Sequence, residues 1–262
     1  MMSSTSSVKS GLRRVIFVFV WLVIWQLAAV KIDNSIIIAG PIDTFRALKE
    51  LIKTPAFRES LLASSSRIAW GFFIGGTSAF VLALISCRFT FIREFLSPAV
   101  TTLKAVPVVS FIIMVLLWSG PDVATVISAL VVFPIIYLNT LQGMISTDCK
   151  LLEMAQIFKI SGKDRIRYIY LPHLRPFLLS AISLAAGMAW KSGIAAELID
   201  QTQTSLGNGM YRSKISLATA DMLAWTVAAV VLSFIFEKLL IALLTLLLNV
   251  GTGSKASGRA KT

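Results

Sequence analysis

Residues 146–175 read STDCKLLEMAQIFKISGKDRIRYIYLPHLR, and the placement of every flanking segment follows from how this stretch folds. Thr147 or Asp148 can cap a helix that carries Leu151, Leu152, Ala155 and Phe158. Ser161 and Asp164, three residues apart, form a capping pair for a second short helix, and Gly162 supplies backbone freedom between the two. Ile166, Ile169 and Tyr170 give the second helix an apolar side, and Pro172 ends it. The expectation is a helix–turn–helix in which each helix has one apolar face and one basic or polar face. A connection this long and this structured does more than connect. It is either a docking surface for a partner or a hairpin lying flat on anionic lipid, which its Lys and Arg would also suit.

Outward from this stretch the chain turns apolar on both sides. Of 262 residues 56% are hydrophobic and 15% charged, with a mean hydropathy of +0.80; a soluble domain carries about 25% charged residues. The apolar residues come in blocks near the ~20 residues that cross ~30 Å of hydrocarbon. Six such blocks are expected to span a membrane: 15–30, 68–87, 100–118, 123–144, 177–196, and 222–236 with an apolar continuation to Val250. The first follows Lys9, Arg13 and Arg14, but it leads into Lys31-Ile-Asp-Asn rather than a small-residue cleavage site, so it reads as a retained span. Six spans place both termini on one side. If that side is cytoplasmic, segments 1–14, 88–94, 146–175 and 250–262 hold 14 Lys and Arg against 4 Asp and Glu, while segments 31–67, 119–122 and 197–222 hold 8 against 8. Basic loops stay on the cytoplasmic side. The net charge of +12 is therefore mostly topology, and no basic face of a soluble domain suggests nucleic acid. Cys87 and Cys149 fall on the inner side, where thiols stay reduced, and their spacing gives no metal or redox motif.

Several smaller features leave alternatives open. After Pro41, Asp43 could cap an outer helix with Ile42, Phe45, Leu48 and Ile52 on one side, resting on the membrane or meeting an external partner. Gly71, Gly75, Ala79 and Ala83 form one small-residue stripe, and Ala181, Ala185, Ala189 and Gly193 another. Such stripes let helices approach closely, either within the subunit or in a dimer. Pro107 and Pro134 can each kink a span. Arg67 reads as an interfacial anchor and Glu237-Lys238 as the inner boundary of the last span.

The chain shows no catalytic constellation and implies no cofactor. Gly162-Lys163-Asp164 lacks the first glycine of a phosphate-binding loop, since Ile157 stands there, and Asp164 replaces the Ser or Thr. His173, the single histidine, reads as a boundary residue. Charges inside spans are functional candidates because burying them in lipid is costly. Lys191, beside Trp190, is the clearest: it lines a path that attracts an anion, snorkels outward, or pairs with Glu197. An ion-gradient-driven secondary transporter is the alternative reading, although such proteins usually carry inverted repeats and buried acidic or histidine relays.

The 146–175 stretch resembles the EAA loop of ATP-binding-cassette (ABC) importer permeases, which reads E-A-A, three residues, G, nine residues, I-x-L-P. Glu153, Met154 and Ala155 stand at its first three positions, Lys159 at the glycine, and Ile169, Leu171 and Pro172 in register at its end. Met154 for alanine is a mild departure. Lys159 removes a flexible point, which Gly162 would supply nearby. PAVTTLKAVPVVSFIIMVLLWSG (98–120), FPIIYLNTLQG (133–143) and GMAWKSGIAAELI (187–199) are similar to permeases of nitrate, sulfonate and taurine importers. The resemblance implies an all-α, six-span, type I importer permease in the bacterial plasma (inner) membrane, with 146–175 docking to a cytoplasmic ABC ATPase dimer. It also implies a second permease subunit, usually identical, and an extracytoplasmic substrate-binding protein. The expected organisation is a cytoplasmic N-terminus (1–14), a first span (15–30), an external segment (31–67), a permease core (68–250) and a cytoplasmic tail (251–262).

Overall fold

A computed structural model describes the backbone of residues 4–118 and 122–252, and the side chains of residues 13, 15–118 and 122–248. Most of the tail expected at 251–262 and most N-terminal side chains lie outside the described residues. The described chain is all-helical. In order it forms α1 (Ser4–Ile32), α2 (Pro41–Lys53), α3 (Pro55–Arg88), α4 (Thr90–Ala105), α5 (Val108–Trp118), α6 (Val123–Ile145), α7 (Cys149–Ile157) and α8 (Gly162–Arg165). A π-helical turn (Ile166–Tyr170), α9 (Leu171–Asp200), α10 (Leu206–Ile215) and α11 (Thr219–Thr252) follow. Among the described residues five helices are long and apolar enough to cross a membrane, or six if the bent pair α4–α5 counts as one crossing.

α6 is the centre of the bundle. α3 runs parallel to it on one side and α9 antiparallel on the other. The approach is closest at small residues. A Cβ added to Gly71 would lie 2.3 Å from Thr125 O, and one on Gly75 would lie 2.4 Å from Ala129 O. Ala181, Ala185 and Ala189 are fully buried, and a Cβ on Gly193 would meet Ile68 and the Ser128 hydroxyl. Both small-residue stripes are thus consumed inside the subunit. Hydroxyls fill the remaining polar gaps, with Tyr137 Oη donating to Ser86 Oγ at 3.0 Å and Ser128 Oγ to Ala189 O at 3.3 Å. The apolar side chains of α1 and the outward face of α11 stay exposed, as lipid- or subunit-facing surfaces must.

Several expectations need correction. The third span is not one helix: α4 and α5 meet at 104°. Val106, which precedes Pro107, takes extended angles (φ −72°, ψ 131°), as a pre-proline residue prefers. Pro107 follows this break, whereas Pro134 stands buried within unbroken α6. The second span is the later part of a 34-residue helix, started at Pro55 behind Thr54, whose hydroxyl accepts from Phe57 N. In α2 the N-cap is Gly40 rather than Asp43, which sits in the first turn. Its inward side carries Thr44, Leu48 and Leu51, while Ile42, Phe45 and Ile52 are exposed. Thr44 can turn inward because its hydroxyl donates to Gly40 O, which a pattern of apolar residues does not register.

Candidate functional site

The 146–175 loop leaves the bundle between α6 and α9. Asp148 caps α7, its Oδ1 accepting from Lys150 N at 2.9 Å. α7 ends in a Schellman turn: Ile160 N donates to Ala155 O and Lys159 N to Gln156 O, and Lys159 itself has φ 50°. The left-handed turn therefore falls on Lys159, and Gly162 does not take it over. Gly162 is the first residue of α8, with open space around it. A lysine in that conformation costs about 1 kcal/mol relative to glycine. Lys159→Gly is expected to slow amide exchange at Ile160 about fivefold, as hydrogen-exchange mass spectrometry would read; unchanged exchange would mean that the turn carries no strain.

Ser161 caps α8 as its spacing predicts, accepting from Asp164 N at 3.2 Å and donating to Asp164 Oδ2 at 2.8 Å. Pro172 does not end a helix. The chain runs through the π turn directly into α9, with Leu171 N bonding Ile166 O, so Pro172 occupies the first turn of α9, where its missing N–H costs little. The root of the loop is tied across its ends. Ser146 Oγ and His173 Nε2 share a hydrogen bond at 3.1 Å, and Gly143 admits Leu174 and Phe177.

Of the residues matched to the importer motif, Ala155 is fully buried, Ile169 and Leu171 are half-buried, and Glu153, Met154, Lys159, Gly162 and Pro172 are exposed. The tip is apolar as well as basic. Ile157 is 77% exposed and Phe158 73%, and Ile166 and Tyr168 also lie open. The single apolar face expected for α7 is therefore split, with Ala155 turned in while Leu151, Met154, Ile157 and Phe158 face out.

The span candidates separate. Lys191 is exposed and lines an open groove of about 500 Å³ on α9 with Ser180, Ser183, Leu184, Gly187 and Met188. It makes no ion pair among the described residues. Trp190 points the other way into the core, buried against Phe236. Glu197 is buried at the far end of α9 and pairs with Arg67 at 3.4 Å, not with Lys191. Arg67 is thus an internal partner rather than an interfacial anchor. Glu237 lies well inside α11, half-buried, and accepts a hydrogen bond from Ser183 on the groove helix.

Residues 62–250 match the family of binding-protein-dependent transport system inner membrane components. The chain belongs to that family: it is a multi-pass inner-membrane permease of the ABC transporter class. Family membership displaces the ion-gradient-driven alternative. The chain is 33% identical over 180 residues to the aliphatic sulfonates transport permease protein SsuC of Escherichia coli, covering 67% of this chain and 68% of that protein. It is 27% identical over 179 residues to the Bacillus subtilis SsuC, covering 67% of this chain and 65% of that protein. It is 25% identical over 205 residues to the nitrate import permease protein NrtB of Leptolyngbya laminosa, covering 74% of this chain and 72% of that protein. The chain thus spans about two thirds of the length of its sulfonate-permease relatives.

Proposed function

We propose that this chain is the translocation subunit of an ATP-driven importer, coupled through the 146–175 loop to a separate cytoplasmic ABC ATPase dimer. The observation that carries the reading is the exposed apolar tip of that loop, Ile157, Phe158, Ile166 and Tyr168, on a base made rigid by caps and by the Ser146–His173 tie. Four large side chains held open on a rigid element are what a docking groove would bury. With the loop and both termini cytoplasmic, α2 and α10 lie on the external side, where a substrate-binding protein would deliver solute. ATP-driven closure of the ATPase dimer would pull the loop. The continuous helical run from Gly162 to Asp200 would carry that pull across the membrane. Solute enters this cycle only through its different affinity for the two states.

The groove around Lys191 would be one half of the path, closed by a second copy of the chain. Glu153, Met154, Ala155, Lys159, Gly162, Ile169, Leu171 and Pro172 make up the coupling segment. An ammonium group with no ion pair among the described residues favours an anionic solute, and the sulfonate and nitrate named for the relatives fit that preference; vitamin precursors are the second class to screen. Lys191→Met is expected to lower uptake of a sulfonate or nitrate at least tenfold, mainly through a raised KM; unchanged uptake removes Lys191 from the path. The coupling reading is tested by co-purification. The intact chain should retain an ABC ATPase in mild detergent and lose it when residues 153–162 are deleted. Retention after the deletion, or labelling of a Lys163→Cys variant by an impermeant thiol reagent from outside the cell, would overturn it.

A further inference from the structure

The end of α9 opposite the loop carries a buried polar cluster that the transport reading has not used. Glu197 is fully buried. Its Oε2 accepts from Ser64 Oγ at 2.7 Å and from Gly207 N at 3.3 Å, and its Oε1 faces Arg67 Nη1 at 3.4 Å. Ser64 Oγ in turn accepts from Leu206 N at 2.9 Å, and Arg67 Nη1 donates to Thr204 O at 3.3 Å. One carboxylate on α9 therefore meets the free N–H end of α10 and two polar side chains of α3, and Arg67 reaches the turn before α10. A carboxylate suits that position, because a helix N-terminus presents unpaired donors and partial positive charge.

The packing around the cluster is equally close. A Cβ on Gly207 would lie 2.5 Å from Leu198 N of α9, and one on Gly209 would lie 2.4 Å from the Trp225 ring of α11. Between α9 and α10, Gln201 and Thr204 both sit at positive φ, 54° and 53°. Non-glycine residues hold such angles only where their surroundings over-determine them. Ser205 adds a cap, accepting from Asn208 N and donating to Thr202 O. An ion pair buried this deeply contributes little net stability compared with apolar packing. It does impose one geometry, since leaving any member unpaired is costly.

We infer that Glu197, with Arg67, is a positioning pair that makes α10 travel with α9, so that movement imposed at the loop end of α9 reaches α10 at the opposite end. The inference rests on the coupling proposed above. α9 and α10 form one body through Glu197; α3 guides that body through Ser64 and Arg67.

The test uses the full chain together with the ATPase that co-purifies with it, in native membranes, with Cys87→Ser and Cys149→Ser as background. Reporter cysteines are placed singly at Ile199, on the last turn of α9, and at Lys214, exposed on α10. Labelling rates with an impermeant maleimide are compared before and after trapping with ATP and vanadate. The expected result is a severalfold change at both reporters in the native sequence. With Glu197→Gln, and independently with Arg67→Met, the change at Ile199 should persist while that at Lys214 falls to less than a third. Two variants are used so that loss of one protein does not end the test. A cluster that serves folding alone would alter both reporters together. Equal responses at both sites in the variants, or a native response at Ile199 alone, overturn the inference and leave the coupling standing. No response at either reporter in the native sequence overturns the coupling itself.

Discussion

Phe158→Asp should release the ATPase from the detergent-solubilised complex, with affinity reduced about 30- to 100-fold. Phe158 lies 73% exposed at the end of α7, beside Ile157 at 77%. Burying a large apolar side chain contributes roughly 1.5–3 kcal/mol, and truncating a central anchor of an interface costs about 2 kcal/mol or more. A carboxylate there also loses its water without gaining a partner, and each ~1.4 kcal/mol is a tenfold change. The fold of the subunit should not suffer, since an exposed side chain has no packing to lose. The check is quantitative pull-down of the ATPase from membranes, read beside the monodispersity of the permease. Equal retention with Asp at 158 would mean that the apolar tip lies on lipid instead, the alternative that its basic residues leave open.

Gly75→Ala should destabilise the bundle while Gly76→Ala, one residue away, should not. The added methyl at Gly75 falls 2.4 Å from Ala129 O and 2.8 Å from Ala129 Cα, both backbone atoms of central α6. Neither can rotate aside, so α3 and α6 must separate, breaking the run of contacts that includes Gly71 and Thr125. Overpacking of this kind costs about 1–3 kcal/mol, and more where the neighbour is backbone. At Gly76 the same methyl meets Val132 Cγ1 at 3.8 Å, ordinary contact. There the alanine should be neutral or slightly stabilising through its better helix propensity. Thermal unfolding in detergent, followed by fluorescence-detected size exclusion, should show Tm falling by about 5 °C or more for Gly75→Ala and by almost nothing for Gly76→Ala. Equal shifts would show that the α3–α6 contact is looser than the distances given above.

Much of this protein could be read along the chain. Apolar run length located the spans, because crossing hydrocarbon is a requirement on consecutive residues. The loop was legible for a similar reason: Asp148 and Ser161 act on N–H groups two or three residues away, and such caps need no tertiary partner. The motif register from Glu153 to Pro172 is also local. Reading failed where the deciding partner lies far off in sequence. The chain breaks at Pro107 and runs on through Pro134, two prolines in apolar runs with opposite outcomes that the residues beside them do not announce.

What the amino-acid order determined by itself was where the long apolar helices lie, the basic loop between α6 and α9, and the caps that shape it. The tertiary structure alone decided that Lys191 opens into a groove while Trp190, its neighbour, is sealed in the core, since adjacent residues on a helix point about 100° apart and only packing says which side is covered. It alone joined Glu197 to Arg67, 130 positions away, and to the start of α10. A charge in a span carries the same symbol whether it faces solute or a buried counter-charge; the difference lies in what the fold brings within about 4 Å of it.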